Sequence, residues 1–203
     1  MSLRAELIGE TPEMPGFAVL LPEGWEAADA GLSGLTDRYA AVLDGFPDST
    51  RAVVRTRIES MLAAARVEAA KADIVRVFAP SGLDPEEYVP VSLVASWLTA
   101  PSGGSIQDVG AGLIARRGAT PLDAGGSILR WSLNTSADVE GGEVEVAGNG
   151  YLLPVPGNPR RALMFRSQIL RSATGATIPD EGIAAMSLVC DAIVASVRWR
   201  RAA

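Results

Sequence analysis

The sequence predicts an α+β fold: a mostly antiparallel sheet with helices packed on it. Three observations lead there. Apolar stripes of helical period stand apart from the strand patterns instead of alternating with them. From Ser127 onward, strand patterns follow one another through tight turns. The second half also lacks the regular strand–helix repeat that a doubly wound nucleotide fold requires.

Residues 1–16 are polar and proline-punctuated and read as a loose N-terminal arm; 17–203 read as a single domain. Phe17 to Leu21 has the apolar run of a short buried strand. Pro22-Glu23-Gly24 turns the chain into a second extended piece at Trp25. Asp48 or Ser49 can cap a helix running to about Ala72, with Val54, Ile58, Met61, Leu62, Ala65 and Ala69 on one face. Strands follow at Ile74 to Ala79 and Val89 to Thr99. Ser105 caps a second helix from Ile106 to about Arg116, and Gly118 stops it.

The meander then reads as Ser127 to Asn134, Glu143 to Ala147, Tyr151 to Val155 and Arg161 to Arg171. Gly141-Gly142, Gly148-Asn149-Gly150 and Pro156-Gly157 read as its turns. In the last strand Leu163, Phe165 and Ile169 alternate with Met164, Arg166 and Gln168. Asp180 and Glu181 open a final helix whose stripe is Ile183, Met186, Cys190, Ile193, Val194 and Val197. Arg198, Arg200 and Arg201 suit its C-terminal dipole.

Composition narrows the chemistry. The chain has no histidine, one cysteine (Cys190) and one lysine (Lys71), the side chains on which most polar catalysis at neutral pH draws. A net charge of −6 argues against a nucleic-acid or anionic-membrane partner, since both need a concentrated basic face. Arginine supplies almost all the positive charge, and with abundant alanine and glycine this reads as a GC-rich, actinobacterial-type genome. One cysteine in an apolar stripe fits a reducing compartment. No stretch reads as a signal peptide or membrane helix, so the expected location is the cytoplasm.

Individual motifs stay weak. Gly110-Ala111-Gly112-Leu113-Ile114-Ala115 matches G-x-G-x-x-A, but it lies inside a helix rather than at a strand-to-helix turn. It reads as close helix–sheet packing, and no nucleotide cofactor is expected. Lys71 ends a helix and reads as a solvated cap. Asp84-Pro85-Glu86-Glu87 lacks the spacing of a calcium loop, and no transition-metal ligand set is present, so no metal is expected. Asn134-Thr135-Ser136 is only a formal glycosylation sequon. Trp25, Trp97 and Trp131 read as packing. Trp199, flanked by Arg198 and Arg200, is the candidate anchor for a partner protein.

Pro15-Gly16-Phe17-Ala18-Val19-Leu20-Leu21-Pro22-Glu23-Gly24-Trp25 resembles the opening of the PsbP-like family, an extended strand followed by P-x-G-W. The far end agrees: Tyr151-Leu152-Leu153-Pro154-Val155-Pro156, the strand from Ala162 to Leu170, and a helix leading to Ile193-Val194-Ala195-Ser196-Val197-Arg198-Trp199. That family includes the photosystem II extrinsic protein P, the Ran-binding Mog protein and the Eag-type chaperones. The resemblance implies an α/β/α sandwich and mostly non-catalytic roles in binding or assembly; it carries over no partner-binding residue.

The functional expectation is therefore a non-enzymatic cytoplasmic protein-binding module: an adaptor, scaffold or secretion-type chaperone that uses a sheet face or the groove beside a helix. The alternatives are a carrier of an apolar small molecule and a carboxylate-based hydrolase. Homo-oligomers through a sheet face or edge strand are compatible with the first reading.

Overall fold

The structure is a computed structural model that describes residues 14–29, 63, 67, 69–81, 90–139, 142–173 and 176–200. In chain order the elements are β1 (Phe17–Ala18), β2 (Trp25–Asp29), β3 (Ile74–Pro80), β4 (Val91–Thr99), α1 (Ile106–Arg117), β5 (Thr120–Pro121) and β6 (Leu129–Val139). They continue with β7 (Gly142–Pro154), β8 (Arg161–Ala173), β9 (Ala176–Thr177), α2 (Asp180–Ala195) and β10 (Arg198–Trp199). Most of the helix expected before Ala72 lies outside the described residues, as does the acidic Asp84–Glu87 turn. Its end is seen: Ala69, Ala70 and Lys71 are helical and Ala69 is buried.

Eight strands form one antiparallel sheet in the order β2-β3-β4-β8-β7-β6-β5, with β9 paired to β8. The fold is α+β, as the sequence predicts. Period-two alternation gives each strand two working faces. Leu93, Ala95, Tyr151, Leu153, Leu163, Phe165 and Ile169 point one way, where Ile183, Cys190, Ile193 and Val194 of α2 close over them. Leu152, Ala162 and Trp131 point the other way, against Ile106, Val109 and Leu113 of α1. Among the described residues α2 covers one face and α1 the other, the layering of an α/β/α sandwich.

The local signals behind α1 are visible in atomic detail. Ser105 Oγ accepts from the Asp108 N–H at 3.2 Å, while Asp108 Oδ2 accepts from the Ser105 N–H at 2.8 Å, a reciprocal capping box. Those bonds hold the Asp108 carboxyl below the usual carboxylate range, the Ser105 side-chain bond contributing most. Gly118 ends the helix with a left-handed φ of 63°. The G-x-G-x-x-A pattern sits mid-helix, and a Cβ on Gly110 would come 3.2 Å from Leu129 Cδ1. Gly110 alone serves close packing; Ala111 and Ala115 face solvent.

The meander departs from expectation in β6, which runs on to Val139 rather than ending at Asn134, and in β7. Gly148-Asn149-Gly150 is not a turn; it lies inside the continuous strand β7. The glycines answer to crowding instead. A Cβ on Gly150 would strike the Trp131 indole, and one on Gly148 would strike the Ser167 carbonyl. Between the pairs Ala147↔Ile169 and Gly150↔Arg166, the Ser167 hydroxyl accepts from the Asn149 N–H at 2.8 Å and donates to its carbonyl at 3.4 Å.

The final helix also stops earlier than its stripe suggests. α2 ends at Ala195, and Arg198–Trp199 forms a two-stranded ribbon with Phe17–Ala18. Trp199 stacks on Trp97 with centroids 6.3 Å apart, and Phe17 meets Trp97 edge-on at 6.2 Å. Those contacts draw the chain out of the helix, and Val197 is buried on the way. The expected first strand is correspondingly short, Phe17–Ala18 rather than Phe17 to Leu21.

Candidate functional site

A groove of about 400 Å³ runs between α2 and the adjoining face of β6 and β7. Arg130, Ser132 and Asn134 reach it from alternate positions of β6. Asn149 comes from β7, Arg171 from β8, and Leu188 and Asp191 from α2. The polar floor follows from strand alternation: Trp131 and Leu133 serve the opposite core, so their even-numbered neighbours face α2.

At its inner end the polar groups are tied together. Tyr151 Oη donates to Asp191 Oδ1 at 2.7 Å. Arg130 Nε lies 2.9 Å from the same oxygen, an ion pair whose N–H points off the hydrogen-bond axis. With the Asn149 amide turned to satisfy both neighbours, its oxygen accepts from Arg130 Nη2 at 3.2 Å and its nitrogen donates to the Gly148 carbonyl at 3.2 Å. Burial, reinforced by the bond to Asp191, drives the Tyr151 phenol well above its ordinary range. Beside it burial pushes the Cys190 thiol up to about 12, with the Asp191 charge adding to the effect. A thiol held protonated at neutral pH is not a nucleophile. At the outer end Arg171 pairs with Asp180 at 2.8 Å across solvent-exposed side chains.

The outer surface of α2 is the second part of the site. Ile183, Cys190, Ile193 and Val194 are buried, yet the solvent side carries Ala184, Ala185, Leu188, Ala192 and Ala195. Leu188 is 67% exposed. Beyond the two acids of its first turn, Asp191 is the one charged residue of the helix.

The three residues expected to contact a partner stand at the end of that helix. Trp199 is half-buried, one indole face taken by Trp97. Arg198 is exposed and its Nη1 donates to the Ala195 carbonyl at 3.2 Å and the Val197 carbonyl at 2.7 Å, covering the helix C-terminus. Arg200 is exposed, and its N–H donates to the Gly16 carbonyl at 2.7 Å. Leu20, 76% exposed, donates its N–H to Ser196 Oγ next to them.

Arg130, Asn149, Tyr151 and Asp191 escape a reading of the sequence because they come from three separate elements. One signal was present: a lone aspartate in the otherwise uncharged stretch between Glu181 and Arg198.

Among the described residues no three of His, Cys, Asp or Glu come together as a metal-binding group. No described helix is long and apolar enough to cross a membrane. No protein-family model matches the chain. No characterised protein matches it either. Two solved structures are similar. A point mutant of protein Mog1 shares 10% identity over 90% of this chain and 89% of its own, with a TM-score of 0.43. The Saccharomyces cerevisiae Ran-binding protein Mog1p shares 12% identity over 90% and 89%, with a TM-score of 0.42.

Proposed function

We propose that this chain is a non-enzymatic protein-binding module, an adaptor, scaffold or secretion-type chaperone of the cytoplasm. One observation carries the reading: α2 is apolar on both sides. A surface helix needs one apolar stripe to hold it to its own core. The second stripe, Ala184, Ala185, Leu188, Ala192 and Ala195, holds nothing among the described residues. Small side chains around one leucine let a partner's backbone come close, and the groove beside them offers polar groups that fix register. Arg198 and Arg200 extend the surface past the helix end, with Trp199 anchoring them, and favour a partner carrying carboxylates there.

The test is affinity capture from the native host with wild-type protein, Leu188→Asp and Ile114→Asp. Ile114 is 52% exposed on α1, on the opposite face of the sheet, and serves as the control. A stoichiometric protein should be retained by wild type and by Ile114→Asp. It should fall at least about tenfold with Leu188→Asp, because burying a leucine contributes roughly 1.5–3 kcal/mol. Equal retention by Leu188→Asp would remove α2 as the contact surface. A defined small-molecule product with no protein partner would defeat the reading altogether.

A further inference from the structure

The outermost long strand of the sheet carries an inference separate from the α2 surface. β6 is 11 residues long, and it pairs with β7 along its whole length without a register shift. On its other side β5 covers only Leu129 and Arg130. Among the described residues, Trp131 to Val139 is an open edge.

The hydrogen-bond phase fixes which groups face outward. The Leu122 N–H donates to the Ile128 carbonyl at 2.8 Å, so these two form a hydrogen-bonded pair. The next such pair is Thr120 with Arg130, and beyond β5 the outward-facing residues are Ser132, Asn134, Ser136 and Asp138. The odd-numbered residues turn their N–H and C=O groups to β7. The devices that usually blunt such an edge are sparse: this strand has no proline, lysine, glycine or bulge, and the one charge in its open stretch is Asp138 near the end. The edge strand at the other end of the sheet, β2, is only 5 residues long and carries Glu26 and Asp29.

We infer that a second copy of this chain pairs antiparallel along β6, about a two-fold axis at Thr135. Antiparallel ladders need outward-facing residues opposite one another. With Thr135 on the axis, Asn134 meets Ser136 of the second copy and Ser132 meets its Asp138, so every outward donor finds an outward acceptor. That axis is also the one that uses the whole open stretch, since Trp131 then lies opposite Val139. Of the directly opposed pairs only Ser132 with Asp138 carries a charge, and no like charges face each other. The contact is isologous and closes on itself, joining two eight-stranded sheets into one.

Sedimentation velocity over a rising concentration series, with amide hydrogen exchange, tests this. Wild-type protein should pass from 21.1 kDa towards twice that mass. In parallel the Ser132, Asn134 and Ser136 amides should gain protection, while those of Leu133 and Thr135 stay protected throughout. Asn134→Pro removes an outward N–H and spares the ladder to β7; it should weaken the dimer at least about tenfold. Should that variant fail to fold, Thr135→Lys keeps the question open to an answer, because it sets two ammonium groups together on the axis. Thr135→Lys alone should be monomeric, and mixing it with Thr135→Asp should restore a heterodimer. A wild-type chain that remains at monomer mass at every concentration overturns the inference. So does a dimer indifferent to both substitutions. Neither result bears on α2, which has its own variants.

Discussion

Tyr151 Oη and Asp191 Oδ1 lie 2.7 Å apart and join the middle of the sheet to α2 across 40 residues of sequence. The same carboxylate oxygen sits 2.9 Å from Arg130 Nε. One aspartate thus ties β6 and β7 to the helix that carries the proposed contact surface. Tyr151→Phe should cost about 1.5–3 kcal/mol, the range for a hydrogen bond to a charged group that leaves its partner partly buried. Arg130 still holds the carboxylate, so the lower half of that range is expected. A urea titration should show a lower midpoint at unchanged slope. An unchanged midpoint would mean that water replaces the phenol at no cost and that the tie is incidental.

The same burial sets the pH response. Cys190 and Tyr151 are both raised in the folded state, Cys190 to about 12, so folding favours their protonated forms. Below the unfolded thiol's pKa, roughly 8.5, both states hold the proton and that contribution is fully present. As pH rises towards the folded value, the unfolded chain releases protons that the native chain keeps. Stability therefore falls, by up to about 1.4 kcal/mol per pH unit for each group. Denaturant midpoints should be lost progressively above roughly pH 9, and Cys190→Ala should flatten the first part of that decline. A midpoint flat up to pH 11 would contradict the burial of both groups.

Cys190 is fully buried, and its thiol is held protonated at neutral pH. Native protein should therefore react with an aromatic disulfide reagent at least about a hundredfold more slowly than a free thiol, with one thiol appearing per chain on unfolding. Rapid labelling of the native chain would place the thiol at the surface and reopen redox chemistry there.

Periodic features were legible in the sequence and crowding was not. The α2 stripe from Ile183 to Val194, the Ser105 cap, the Gly118 stop and the two faces of β8 each follow from residues a turn or a pleat apart. Each of these is a local rule. What escaped depends on neighbours distant in sequence. Trp199 leaves the helical pattern because Trp97 and Phe17 receive it in the sheet layer. Arg130 meets Asp191 only because β6 and α2 share one face. Gly148 and Gly150 imitate a hairpin signal, since a glycine demanded by a turn and one demanded by a facing side chain are the same letter.

That last distinction can be tested directly. In a turn, the cost of replacing glycine comes from a left-handed backbone and is roughly 1–2 kcal/mol. Inside β7 it comes from overlap instead. A new Cβ at Gly150 meets the ring of Trp131, itself only 7% exposed and unable to swing away, and one at Gly148 meets the backbone of β8. Overpacking of this kind costs typically 1–3 kcal/mol and more where the neighbour is backbone. Gly148→Ala should therefore be the more damaging and should disturb the Ser167 bridge. Gly150→Ala should lower stability by about 2–3 kcal/mol and change the near-ultraviolet signal of Trp131. Gly104→Ala, where the nearest atom is the Pro101 carbonyl at an ordinary 3.5 Å, should be close to neutral. Chemical denaturation of the three variants reads the order. Equal, small losses at all three positions would return Gly148 and Gly150 to a solvent-exposed turn, and with them the register of β7 against β6 and β8.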